Sequence, residues 1–192
     1  MRPFTGTRQD SARARDSTHP IRGPEYPAAV TIEIRLAEPD DAAAIRDIYN
    51  LEVETTTVTF DLVPRTLDEQ RRWIAGHSGG HPAVVAVAAG EVVGFGSLSP
   101  YKDRPAYFPT VEDSVYVRGD QRGAGVGAAL LAELVRLAAG YGYHSVIARI
   151  VGGHDASISL HRACAFEIVG TEREVGRKLG RWLDLVVMQR ML

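Results

Sequence analysis

A chain of 192 residues with 45% hydrophobic side chains fits one domain with a sizeable core. Its net charge of −2 and pI near 6.3 leave no excess of cations to neutralise a phosphate backbone, which argues against nucleic acid as a partner. No apolar run approaches the roughly 18 residues of a membrane-spanning helix, and the single cysteine, Cys164, cannot form an internal disulfide, in keeping with a reducing cytoplasm.

Residues 1–29 are rich in Arg, Ser, Thr and Pro and show no periodicity, so they are expected to form a disordered extension. They lack the continuous apolar stretch of a signal peptide, and Asp10, Asp16 and Glu25 weigh against a transit peptide. The folded domain is expected to occupy residues 30–192. Val30–Leu36 alternates apolar and polar residues, the mark of a half-buried strand. Pro39 suits a first helical turn, and Asp40 and Asp41 complement the dipole of a helix running to about Glu52, with Ala44, Ile45, Ile48 and Leu51 or Glu52 facing inward. Val53–Phe60, VETTTVTF, is hydroxyl-rich and reads either as an exposed loop with a short strand or as a wall of a substrate pocket.

Thr66 and Glu69 have the spacing of a capping box, so a helix from Leu67 to about Ala75 is predicted. Ala83–Ala89, a turn at Gly90 and Glu91–Ser99 read as a β-hairpin. After a loop containing Pro100, Pro105 and Pro109, the β-branched run through Val111, Val115 and Val117 is a strand that ends at Arg118 and Gly119. A helix then begins at Val126, with Leu130, Leu134, Leu137 and Tyr141 on one stripe and a stop at Gly140 to Gly142. Ser145–Val151 is a buried strand, Ala156–Ala163 a short helix, and Glu167–Val175 and Leu183–Leu192 are strands. The order β-α-α-β-β-β-α-β-α-β-β is mixed α/β.

The chemistry concentrates between the central strand and the helix after it. Gly123, Gly125 and Gly127 alternate at a helix start, where unpaired N–H groups and the helix dipole favour a pyrophosphate, and Arg122 adds a full positive charge. A dinucleotide fingerprint requires an acidic residue about 20 positions on, at the end of the next strand. That strand instead ends in Ala148, Arg149 and Ile150. A nucleoside-triphosphate loop requires a lysine and a hydroxyl where Ala128 and Ala129 stand. An acyl-coenzyme A site and a purely structural Gly-rich turn stay open on the loop alone.

Arg122-Gly-Ala-Gly-Val-Gly127 resembles the pyrophosphate loop of the GCN5-related N-acetyltransferases, the GNAT family. The blocks VEDSVYV, SISLHRACAF and GRKLGRWLDLVVMQR, in that order, are most similar to its phosphinothricin and methionine sulfoximine N-acetyltransferases. The resemblance covers residues 30–192. It implies a GNAT fold, a mixed central sheet flanked by helices with acetyl-CoA at the central strand and the glycine loop, and a homodimer without a metal. The implied reaction is direct acetylation of the α-amine of a small amino-acid analogue. Another amine (an amino acid, a polyamine, a protein N-terminus) stays open, as does a non-catalytic acyl-CoA sensor.

The same resemblance assigns roles residue by residue. Glu112 stands at the family's general base, and strand alternation puts it with Ser114 and Tyr116 on one face, opposite Val115 and Val117. Backbone groups of Val115, Tyr116 and Val117 are expected to pair with the pantetheine arm, and Arg122, Gly123, Ala124, Gly125, Val126 and Gly127 to hold the pyrophosphate. His161 occupies the position of the acid that protonates the leaving thiolate, suited to an imidazole with a pKa near 6.5. His154 replaces the family's coenzyme A-binding asparagine, with Ser157 beside it. Arg104 and Tyr107, with Asp113 and Ser114, are candidates for the acceptor side, where a guanidinium can bind a carboxylate or phosphinate through two parallel hydrogen bonds. Lys178, Arg181, Trp182 and Asp184 are read as a second pocket wall or a subunit contact, and Cys164 as a small packed residue rather than a nucleophile.

Overall fold

A computed structural model describes residues 31–192; the expected N-terminal extension and Val30 lie outside the described residues. Seven strands form one sheet in the order β1-β2-β3-β4-β5-β7-β6. They are β1 (Ile32–Leu36), β2 (Ala83–Ala88), β3 (Glu91–Pro100), β4 (Thr110–Val117), β5 (Ser145–Val151), β6 (Glu167–Lys178) and β7 (Arg181–Met191). The helices are α1 (Ala42–Thr55), α2 (Leu67–Gly76), α3 (Val126–Gly140) and α4 (Asp155–Ala163). The element order matches the one read from sequence. Every strand pair is antiparallel except β4 with β5.

The sheet carries a core on each face. On one, Val126, Leu130, Leu131 and Leu134 of α3, with Ile158 of α4, pack on Val84, Val93, Val111, Val146 and Met188. On the other, Ile45, Ile48 and Tyr49 of α1 and Ile74 of α2 pack on Val85 and Phe95. The glycines of β3 set how closely α3 can lie. A Cβ on Gly96 would stand 2.9 Å from Leu134 Cδ1 and 3.0 Å from the Ser114 carbonyl oxygen, so this strand is bare where the helix crosses it.

Several local expectations change for physical reasons. Pro39–Asp41 forms a 3-10 turn ahead of α1, and the Asp41 carboxylate is taken by Arg35 at 2.7 and 2.8 Å and by the Glu38 N–H at 2.8 Å. Burial alone would raise this carboxyl, but the Arg35 hydrogen bond and the backbone donor hold it below its ordinary value. On α1 it is Glu52 that faces inward, while Leu51 is 53% exposed. On α3, Leu131, Val135 and Ala138 widen the buried stripe and Tyr141 stays 51% exposed.

No strand forms in residues 53–60, because α1 continues through Thr55 and the threonines then bond to distant groups. The Thr59 hydroxyl lies 3.0 Å from the Tyr49 hydroxyl, and its carbonyl accepts from Lys178 Nζ at 2.8 Å. The last two strands run longer than their hydrophobic pattern suggests. Leu179 and Gly180, at φ +49° and +76°, make the two-residue turn that joins them, a conformation suited to a tight hairpin. The Thr66–Glu69 capping box forms as read.

Gly96→Ala is predicted to destabilise the fold by about 1–3 kcal/mol through overpacking against α3 and β4, measurable as a lower midpoint in urea. An unchanged midpoint would show that α3 can withdraw from β3 freely.

Candidate active site

The ladder between β4 and β5 has four rungs, from Thr110–Ser145 to Asp113–Ala148. Beyond it β4 stays on β3 as far as Val117–Gly94, and β5 stays on β7 as far as Val151–Leu185, so the two strands part. The facing edges of Ser114–Val117 and Arg149–Val151 are left without a strand partner, so their backbone groups are available to bond to a ligand or to water. A cleft of about 730 Å³ fills the fork. An extended amide-bearing chain fits such a gap as an added strand.

The glycine loop closes one end. Gly123 and Gly125 lie in the left-handed region, at φ +80° and +86°, and an added Cβ at either would meet open space. Glycine is there for backbone conformation. Gly127 differs: its Cβ would stand 3.1 Å from Leu160 Cδ2, so its bareness lets α3 approach α4. Gly125 is the N-cap of α3 and has no side chain to cap it. The first-turn N–H groups of α3 are therefore free to meet an anion, with the helix dipole in support.

Arg122 borders the cleft but is ion-paired with Glu52 Oε1, while Glu52 Oε2 accepts from the Thr56 hydroxyl at 3.0 Å. On the opposite rim His154 Nε2 lies 3.1 Å from the Thr57 hydroxyl. Burial lowers the His154 pKa, Glu52 opposes that, and Arg122 adds to it. Glu52 of α1 and Thr57, two residues past its end, thus bond to two residues that line the cleft, a placement that the inner-face pattern around Glu52 only partly indicated.

The two residues expected to be catalytic lie on opposite faces of the sheet. Glu112 pairs with Ile147 and shares the α1 face with Ser114 and Tyr116; the latter stacks on Phe95 at 5.1 Å and meets Tyr49 edge-on. Burial raises the Glu112 pKa, Arg149 opposes the rise, and Asp113 and Glu172 add to it. A half-buried carboxylate of raised basicity suits proton abstraction near neutral pH.

His161 lies on the α3 face, 4% exposed, with Nδ1 at 2.7 Å from the Ser157 carbonyl and Nε2 at 3.1 Å from Asp113 Oδ2. The carbonyl can only accept, so Nδ1 carries a proton, and a carboxylate opposite Nε2 favours a second one there. Burial opposes that charge, but the Asp113 hydrogen bond and its field outweigh it and raise the His161 pKa. Asp113 is 5% exposed, its Oδ1 has no hydrogen-bond partner, and it sits at the last rung of the β4–β5 ladder. The Asp113–His161 pair was not legible in the sequence, because the two positions are 48 residues apart and only the parallel register brings them together.

Of the remaining candidates, Ser114, Val115, Tyr116, Val117, Gly123, Gly125, Gly127, His154 and Ser157 line the cleft, as do Asp113 and His161. Ala124 and Val126 are in the loop and the first turn of α3 but do not line it, and Val126 packs in the core. Arg104 caps a 3-10 turn before β4, exposed and with no side-chain partner among the described residues. Tyr107 packs edge-on against Tyr101 at 5.7 Å, beside Lys102. In the C-terminal hairpin, Lys178 is buried under Thr59 and its pKa is lowered by burial, whereas Trp182 is 61% exposed. Among the described residues no group of three or more His, Cys, Asp or Glu side chains could hold a metal ion.

A forked parallel pair leading into a glycine loop and a helix N-terminus is the acyl-CoA site of an acetyltransferase fold, and the model of the GNAT acetyltransferase domain matches residues 34–187. The chain belongs to the GNAT acetyltransferase family. It is 43% identical over 162 residues to the L-methionine sulfoximine/L-methionine sulfone acetyltransferase of Pseudomonas paraeruginosa, covering 83% of this chain and 94% of that protein. To the phosphinothricin N-acetyltransferase of Streptomyces coelicolor it is 36% identical over 170 residues, covering 86% and 99%. The crystal structure of a phosphinothricin acetyltransferase from Sinorhizobium meliloti in complex with AcCoA superposes with a TM-score of 0.80 at 40% identity, covering 84% of this chain and 89% of that one.

Removing one member of the buried Asp113–His161 pair is predicted to cost about 3–5 kcal/mol, read as the loss in urea-unfolding free energy of Asp113→Ala at pH 6. Because the folded pKa of His161 is raised above its unfolded value of about 6.5, the pair's contribution is complete below pH 6.5 and declines as pH rises through the folded value. The gap between wild type and variant should therefore narrow in alkaline buffer. A gap that widened there would mean that His161 is neutral in the folded protein.

Proposed function

We propose that this protein is an acetyl-CoA-dependent N-acetyltransferase that modifies the α-amine of a small amino-acid analogue of the methionine sulfoximine, methionine sulfone or phosphinothricin type. The observation that carries the reading is the juxtaposition, at the last rungs of the β4–β5 ladder, of a basic carboxylate on one face and a proton-bearing histidine on the other. The relatives named above act on such acceptors and supply the substrate class.

In this reading the thioester lies in the fork with its pantetheine arm along Ser114–Val117 and its pyrophosphate at the start of α3 near Arg122. Glu112 takes a proton from the acceptor's ammonium, directly or through water, and the freed amine attacks the thioester carbonyl carbon. A β4 backbone N–H steadies the oxyanion that forms. The C–N bond is made and the C–S bond breaks; the second amine proton is lost to water, and His161 gives the departing thiolate its Nε2 proton, which leaves its hydrogen bond with Asp113 Oδ2 to do so. Arg104 and Tyr107 contribute to the acceptor side. Cys164 takes no part: burial raises its thiol pKa, Arg190 opposes that and Asp113 reinforces it, leaving a poor nucleophile.

The same reading places the enzyme in the cytoplasm as a homodimer that detoxifies amino-acid analogues, and so confers resistance to them. Support for the dimer comes from apolar side chains exposed along the last hairpin, Ile168, Val169, Val175, Leu179 and Trp182, which a second copy would cover. Sedimentation equilibrium at micromolar concentration should return twice the chain mass; a monomer would remove this part of the proposal.

The deciding assay is coenzyme A release from acetyl-CoA with phosphinothricin, methionine sulfoximine and methionine sulfone offered separately, with the product weighed by mass spectrometry. An acetylated acceptor is expected with at least one of them; none with all three, despite acetyl-CoA binding, would remove the substrate assignment. Glu112→Gln is predicted to lower kcat/KM by roughly 10²–10⁴-fold. Since Glu112 must be deprotonated and its pKa is raised, the acid limb of kcat/KM should lie above the ordinary glutamate value of about 4.3 and vanish in that variant. Full turnover by Glu112→Gln would exclude it as the base.

A further inference from the structure

Arg149 enters the mechanism above only through its field at Glu112, yet its position gives it more to do. It is the first residue of β5 past the last β4–β5 pair, Asp113–Ala148. Ile147, two residues earlier, pairs with Glu112, so alternation puts the Arg149 side chain on the Glu112 face. It lines the cleft, and its charge opposes the effect of burial at Glu112.

The guanidinium has one partner among the described residues, Glu172 of β6, reached by Nη2 at 3.0 Å. The two side chains are 39% and 46% exposed, and an exposed pair of this kind holds its members weakly. Arg149 therefore keeps most of its N–H donors for an anion. Arg104 is in a different situation: it stands at the other end of β4, in a turn ahead of Thr110, and does not line the cleft.

We propose that Arg149 is a specificity-determining residue that binds the carboxylate of an amino-acid acceptor while Glu112 receives its amine. The assignment rests on the transfer reading above and deepens it. An α-amino acid carries its ammonium and carboxylate on one carbon, and the fork presents the complementary charges on neighbouring strands of one face. The same guanidinium repels a second ammonium, so it selects against polyamines and other acceptors without an anion. Glu172 competes with the acceptor for Arg149 and moderates its affinity.

The test compares L-methionine sulfone with its carboxamide, which keeps the amine and loses the charge. For Arg149→Met, with folding checked by thermal melting, the KM of the acid should rise about 10–100-fold, as expected for a lost charge-assisted hydrogen bond. The KM values of the amide and of acetyl-CoA should stay within about twofold of wild type by this account of uniform binding. Glu172→Gln should shift the acid in the opposite direction, to lower KM. Equal changes for acid and amide, no change for either, or a rise confined to acetyl-CoA would overturn the proposal, the last by making Arg149 a cofactor contact.

Calorimetric titration of the acid and the amide into the coenzyme A complex separates this from the chemistry. Acid binding that depends on Arg149 without acetyl transfer would sink the transfer reading and keep the anion site. Equal binding of acid and amide by the wild type, or no binding of the acid, would sink the anion site.

Discussion

The structure depends on the parting of two parallel strands. β4 and β5 share four rungs and then separate, because each stays bonded to its outer neighbour, β3 or β7, while the gap between them opens. Backbone N–H and C=O groups on the facing edges have no strand partner, so the fold leaves a slot that an amide-bearing chain can complete. The glycine loop follows one strand and α4 the other, and Glu52 of α1 and Thr57 just past it bond to Arg122 and His154 beside the slot.

Three ion pairs surround the fork and divide its labour. Asp113–His161 is buried at the last rung and ties α4 to β4 across the parting. A buried charged pair is a weak source of net stability but costly to break, so it fixes this geometry more than it strengthens the fold. Glu52–Arg122 joins α1 to the start of the glycine loop, and the buried Glu52 carboxylate holds that guanidinium in place. Arg149–Glu172 is exposed and exchangeable, which suits a group that must trade partners with a substrate. The most buried pair stands where rigidity matters and the most exposed one where the acceptor is expected.

The order of the elements was legible because the apolar periodicities of β4, α3 and β5 are long and their ends are marked by glycines. The glycine loop was legible as well, although φ values of +80° and +86° at Gly123 and Gly125 show that conformation is the first reason for those residues. Val53–Phe60 was misleading as a possible strand. Its β-branched residues suggest one, but Thr57 and Thr59 bond to His154, Tyr49 and Lys178, partners that a linear pattern does not contain. The face of Glu112 followed from alternation, whereas the contact of Asp113 with His161 and the placement of Arg149 beside Glu112 depend on a parallel register that periodicity does not specify. Arg149 was noticed only as a strand end lacking an acid, a signal that excluded a dinucleotide and pointed to nothing else.

Amide hydrogen exchange with and without acetyl-CoA tests the central claim most directly, since it reads the fork without requiring an acceptor. Added protection is predicted at amides within Ser114–Val117 and at the start of α3 from Val126 to Ala128, with the β1–β2 ladder unchanged. Protection confined to other segments, with these amides exchanging as before, would mean that the thioester does not lie between β4 and β5.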